Sequence, residues 1–124
     1  MERTARGRRA EDLAAAYLEN RGMRIAARNW RRREAELDLV ADDAGVCVFV
    51  EVRSRTGTER GHPLETVTAQ KRGQMVRAAR LYMHEAAPRA KGYRFDVVGV
   101  IFSADGQSEP ECVHVPDAFR LEGR

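Results

Sequence analysis

The stretch AELDLVADDAGVCVFVEVR, from Ala35 to Arg53, constrains the fold more than any other part of the chain. ELDLVA alternates with period two, VCVFVEVR is nearly all apolar, and the DDAG between them is a turn signal. The two runs read as a hairpin. With DDAG as a four-residue loop, Ala41 faces Val46, Asp38 faces Phe49 and Glu36 faces Glu51. Side chains alternate between the faces of a strand. One face is then Leu37, Leu39, Ala41, Val46, Val48, Val50 and Val52, a core surface. The other carries Val40, Cys47 and Phe49 near the turn, with Glu36, Asp38, Glu51 and Arg53 at the far end.

A face that simply met water would scatter polar residues of both signs, whereas this one segregates three carboxylates beside a covered apolar patch. Like charges directly opposite one another destabilise a hairpin, so something should offset the repulsion. A bound cation is one candidate: Mg²⁺ is held by one or two carboxylates plus waters and substrate phosphate oxygens, without His or Cys. Ordinary ion pairs with Arg53, Arg55 or the arginines at 31 to 33 are the other. Glu11 lies on the border of the apolar stripe of a preceding helix, where it either adds a fourth carboxylate to the same pocket or meets solvent.

That helix is expected over residues 8 to 21, where Ala10, Leu13, Ala14, Tyr17 and Leu18 recur at helical spacing and Gly22 follows as a C-cap. MRIAARNW reads as a short strand and RRREA as a basic turn. After the hairpin, SRTGTERGHP is expected to be a surface loop. Met75, Ala78, Ala79, Tyr82 and Met83 predict a second helix from about Thr68 to Glu85, ended before Pro88. YRFDVVGVIF is a fourth strand and ECVHV a candidate fifth at the edge, while the tail PDAFRLEGR offers little to pack. The order helix, strand, strand, strand, helix, strand makes one α/β domain over 1–124, with its core at about 7–115 and helices packed on a mixed sheet.

Composition narrows the function classes. Of the 22 basic residues 20 are arginine, with clusters at Arg6, Arg8 and Arg9 and at Arg31, Arg32 and Arg33, and guanidinium forks match phosphate geometry. A coding bias toward arginine on solvated surfaces would give the same counts. Cys47 and Cys112 lie 65 residues apart without a paired motif, and together with His114 they would make only a poor zinc site. No apolar run approaches the roughly 20 residues of a membrane span. The basic start MERTARGRR is followed by AEDLAAAYLENRG rather than by an apolar segment, so a cytoplasmic protein with no membrane partner is expected.

An acidic residue in one strand and E-x-K in the next, behind a helix bearing a Glu, resembles the PD-(D/E)xK nuclease superfamily, here as Asp38, Glu51, Val52 and Arg53. The stretches GRRAEDLAAAYLENRG, RNW, AELDLVA, VFVEVRSR, GHPLETVTAQKRGQMVRAARLYM and RFDVVGV, in that order, resemble the YraN-type bacterial family related to archaeal Holliday-junction resolvases. The resemblance implies a restriction-endonuclease-like domain of order αβββαβ with a four- to five-stranded mixed sheet. It implies a metal site of Glu11, Asp38 and Glu51 for Mg²⁺ or Mn²⁺, with Glu36 and Lys71 at further family positions. The expected activity is phosphodiester hydrolysis in structured, branched DNA by a water that the ion activates, with Arg53 or Lys71 stabilising phosphoryl charge. Arg31, Arg32, Arg33, Arg55 and Arg60 would position the DNA backbone, and a homodimer is implied.

Two departures matter. Ala35 stands where the family has Gly, and Arg53 where the superfamily has Lys. Arginine stays protonated and cannot serve as a base. Lys71, one of only two lysines, is the candidate to take that role from the helix side. The alternative function is a non-catalytic nucleic-acid-binding module on the same fold; an assembly factor with no nucleic-acid partner is a third.

Overall fold

In the computed structural model, which describes residues 4–57 and 62–120, the hairpin forms the middle of a five-stranded sheet. The chain runs through α1 (Ala5–Asn20), β1 (Arg24–Arg32), β2 (Ala35–Asp43), β3 (Val46–Thr56), a 3₁₀ turn (Pro63–Thr66), α2 (Ala69–Ala86), β4 (Gly92–Phe102) and β5 (Glu111–Phe119). The strands lie in sequence order. All neighbours are antiparallel except β3 and β4, which run parallel because α2 carries the chain back across the sheet. This is a mixed α/β domain with helices on both faces. No helix among the described residues is long and apolar enough to cross a membrane.

Both helices begin where their sequences supply a cap. Thr4 Oγ1 accepts the Gly7 N–H at 2.9 Å, and Thr68 Oγ1 accepts the Lys71 N–H at 3.1 Å. Gly22 (φ 95°) follows α1, and Ala87 (φ 44°) ends α2 one residue before Pro88. The apolar stripe of α1 packs on Leu39, Ala41, Val48, Val50, Val98 and Val100. On the opposite face, α2 covers Val40, Cys47, Phe49, Phe95 and Val97 with Met75, Ala78, Ala79 and Tyr82.

Four expectations are corrected. The β2–β3 turn is two residues, Ala44 (φ 52°) and Gly45 (φ 93°), and both have the left-handed backbone of a tight hairpin turn. The register is therefore Val40 to Phe49 and Ala41 to Val48, two residues from that of a four-residue loop. Leu37 packs in the α2 cluster rather than with Leu39 on the α1 side. On β1, Arg28, opposite Leu39, pairs with Asp12 of α1, while Trp30, opposite Leu37, belongs to the α2 side. Asn29 between them has φ 51°, and this left-handed residue breaks the period of two in β1 just where Leu37 and Leu39 part in β2. β3 continues through Ser54, Arg55 and Thr56, paired with β4, so the expected loop starts later. Finally, the tail packs: β5 extends to Phe119, whose ring stacks on Phe95 at 4.8 Å and 15°.

Candidate functional site

The β2–β3 ladder ends at Leu39 and Val50, and one further step in this register sets Asp38 against Glu51. The corrected turn thus replaces the expected Glu36–Glu51 opposition by Asp38–Glu51. Beyond the last pair the strands part, and Asp38 Oδ2 takes the Val52 N–H at 2.8 Å in place of a backbone carbonyl. Glu51 is buried at 6% exposure, at the edge of the apolar patch under α2. The two carboxyl groups lie within hydrogen-bonding reach of each other.

Glu51 also meets two cations. Arg53 Nε stands 3.3 Å from Oε2 and Lys71 Nζ 3.6 Å from Oε1. Lys71 sits in the first turn of α2, where the positive end of the helix dipole disfavours a cation and no acidic residue balances it. Its place there is offset by Glu51. Even so, burial and then the neighbouring Asp38 push the Glu51 carboxyl up to about 8, with Lys71 and Arg53 pulling the other way. Asp38 is raised too, by burial first, against the Val52 N–H. Two carboxylates in contact, each resisting ionisation, are the donor set that a hard divalent cation fits.

Of the residues expected at the site, Asp38, Glu51, Arg53 and Lys71 come together. Glu36 lies two residues back along β2, exposed, with Oε2 3.9 Å from Arg31 Nε. Glu11 is buried at 6% exposure on α1, the layer on the other face of the sheet. Among the described residues no group of three or more His, Cys, Asp or Glu side chains is placed to hold a metal ion. Arg55 is half-buried two residues beyond Arg53. Arg31, Arg32 and Arg33 are exposed at the β1–β2 hairpin, and Arg60 lies outside the described residues. Cys47 is buried and its thiol is pushed up to about 11 by that burial, which keeps it protonated.

Two features escape sequence reasoning. A cleft of about 420 Å³ opens between the β1–β2 hairpin and α2, with Gln74 and Arg77 joining Lys71 on the helix side. Their spacing of three residues was a readable signal. The second is Asp96, with no exposed surface, inside the apolar run of β4. Burial alone would raise its carboxyl, but His114 Nε2 at 2.8 Å, Arg94 Nε at 3.0 Å and the Asp117 N–H at 2.9 Å together hold it below the ordinary range. A lone Asp between Phe95 and Val97 was the signal for it. His114 thus bonds a carboxylate rather than joining Cys112 in a zinc site.

The profile of uncharacterised protein family UPF0102 matches residues 10–100, which takes in both carboxylates, α2 and most of β4. The chain belongs to this family. A UPF0102 protein of Anaeromyxobacter dehalogenans is 48% identical over 122 residues, covering 98% of this chain and 89% of its own. Family members of Clavibacter michiganensis subsp. michiganensis and Pseudomonas aeruginosa are 45% identical over 107 residues and 43% over 115. They cover 86% and 92% of this chain, and each aligns over 91% of its own length.

Proposed function

We propose that this UPF0102 protein is a metal-dependent nuclease of restriction-endonuclease-like fold that acts on structured DNA. The observation that carries the reading is the contact between Asp38 and Glu51 at the end of the β2–β3 ladder, with Arg53 and Lys71 on Glu51. Asp38 and Glu51 are the residues that would hold Mg²⁺ or Mn²⁺, and a bound ion supplies Lewis-acid activation of water and charge neutralisation at phosphorus. Each side chain has a part that follows from its place. Val52 N–H orients Asp38, leaving its other oxygen for a ligand. Lys71 and Arg53, 26% and 33% exposed, reach Glu51 from the helix and the strand and present positive charge where a phosphodiester would approach. The exposed arginines of the β1–β2 hairpin would hold the DNA backbone without reading sequence.

A second reading, a binding module without chemistry, is favoured by Arg53 itself, since a guanidinium cannot exchange a proton at working pH. One experiment separates the two. Pure protein is incubated with labelled four-way junction, duplex and single-stranded DNA in Mg²⁺, Mn²⁺ or EDTA. The nuclease reading expects cleavage that needs the ion and disappears in Asp38→Asn, which keeps shape but removes a charged ligand. DNA binding without cleavage in any condition would establish the binding module, and activity that survived Asp38→Asn would belong to a contaminant.

A further inference from the structure

The cleft beside the carboxylate pair shares one wall with it, because Lys71 lines the cleft while its Nζ lies 3.6 Å from Glu51. At about 420 Å³ it is far larger than one phosphate requires and falls within the roughly 300–1,000 Å³ of small-ligand clefts. Its lining is cationic, with Arg31, Arg32, Lys71 and Arg77 against Glu34 and Glu36. Several of these groups are held in place by the fold. The Arg32 guanidinium lies 4.5 Å above the Trp30 ring, its Nε is 2.7 Å from Glu85 of α2, and one of its terminal nitrogens reaches the Arg31 carbonyl at 2.6 Å. Arg77 is tethered to the Glu34 carbonyl at 3.4 Å. Gln74, between Lys71 and Arg77 on the same helix edge, is exposed and brings an amide donor and acceptor.

We propose that this cleft is a subsite for one unpaired nucleotide next to the bond that is cut, its phosphate on Arg77 and Lys71, its base against the fixed guanidinium plane of Arg32 and its base edge read by Gln74. The parts match what single-stranded recognition needs: a flat platform on which a base stacks and cations that follow the backbone. A base paired in a duplex cannot enter, so the cleft selects DNA with an unpaired nucleotide beside the carboxylates. The choice of a nucleic-acid ligand rests on the reading given under Proposed function; the cleft and its charges do not.

The test uses the full chain in EDTA and the 5′-phosphorylated dinucleotide pTpT as probe, followed by NMR of the glutamine side-chain amides and arginine Nε–H groups. The expected result is that pTpT shifts Gln74, Arg32 and Arg77, that inorganic phosphate shifts Arg77 but not Gln74, and that Arg77→Gln weakens pTpT binding about tenfold, the effect of removing one charge-assisted hydrogen bond. Arg24→Gln, which removes an exposed charge at the far end of β1, should leave the affinity unchanged. Signals of the cleft that stay unmoved at millimolar pTpT, or equal weakening by Arg24→Gln, would overturn the subsite. Asp38-dependent cleavage without shifts in the cleft would overturn the subsite and leave the nuclease reading intact. Shifts in the cleft of a protein that cuts no DNA would do the reverse.

Discussion

Removing a carboxylate from the centre of this site should make the protein more stable at alkaline pH. Glu51 has an ordinary value of 4.5 and a folded-state value of about 8. Below 4.5 it is protonated in both states and stability is unaffected. Between 4.5 and about 8 the unfolded chain releases a proton that the folded chain retains, so stability falls as pH rises through this window. At about 1.4 kcal/mol per pH unit, the interval sets an upper bound of ~5 kcal/mol at pH 8. The Arg53 and Lys71 pairs are already counted in that folded-state value, so their removal adds no separate penalty. Gln at 51 keeps the shape and cannot ionise. In EDTA, thermal unfolding of wild type should drop from pH 5 to pH 8 while Glu51→Gln stays nearly level, and half of the bound would separate the Tm values by about 10 °C at pH 8. Mg²⁺ or Mn²⁺ should raise the wild-type Tm at pH 8 more than at pH 5, because a cation binds the deprotonated pair, and should leave Glu51→Gln unmoved. Parallel Tm curves for the two proteins across this range would refute the reasoning.

Arg53→Lys should raise the cleavage rate with little change in DNA affinity, and a recovered proton-transfer role is worth up to about 10² to 10⁴-fold; if Arg53 acts only by charge, single-turnover rates will not rise. Replacing Arg31, Arg32 and Arg33 together by Ala should flatten the dependence of log affinity on log salt by about 0.9 for each phosphate no longer neutralised, read by fluorescence anisotropy on duplex DNA. Asp96→Ala should cost about 1–3 kcal/mol in urea unfolding at pH 7, since it leaves the buried His114 ring and the Asp117 N–H without their acceptor, while Arg94 keeps its pair with Asp43 at 2.9 Å. Because the Asp96 value is lowered by folding, its contribution is present above the ordinary 3.8 and lost as pH falls through the folded value, so the gap between wild type and variant should close in acid.

Much of this protein is determined by local pattern. Threonine caps, the stripe of Ala10, Ala14 and Leu18, and Pro88 after α2 specify both helices, because helix periodicity and capping act over a few residues. The hairpin and the apolar faces of β3 follow from alternation, which is equally local. Asp38 and Glu51 stand out in the sequence as carboxylates on one face, since a two-residue change of register leaves the face of a side chain unaltered. Which carboxylate opposes which is another matter. That depends on the left-handed backbone of Ala44 and Gly45, and alanine gives little sign that it will adopt such a conformation. Leu37 lies on the unexpected side for a related reason: alternation in β2 breaks at Asp38, alongside the left-handed Asn29 of the neighbouring strand and where β2 leaves the β3 ladder, and the regular pattern of ELDLVA does not announce it. The C-terminal tail has no visible support in its own sequence because Phe119 has its partner, Phe95, more than twenty residues back, across the turn between β4 and β5. The cleft is the most distant case. Its walls are the β1–β2 hairpin and one edge of α2, forty residues apart in sequence, and only packing of α2 on the sheet through Phe49 and Tyr82 brings Arg32 to Glu85 and Arg77 to Glu34. Local periodicity tells which side of an element a residue occupies; what stands across from it is decided by turn dihedrals and by burial of apolar surface between elements that the sequence alone leaves apart.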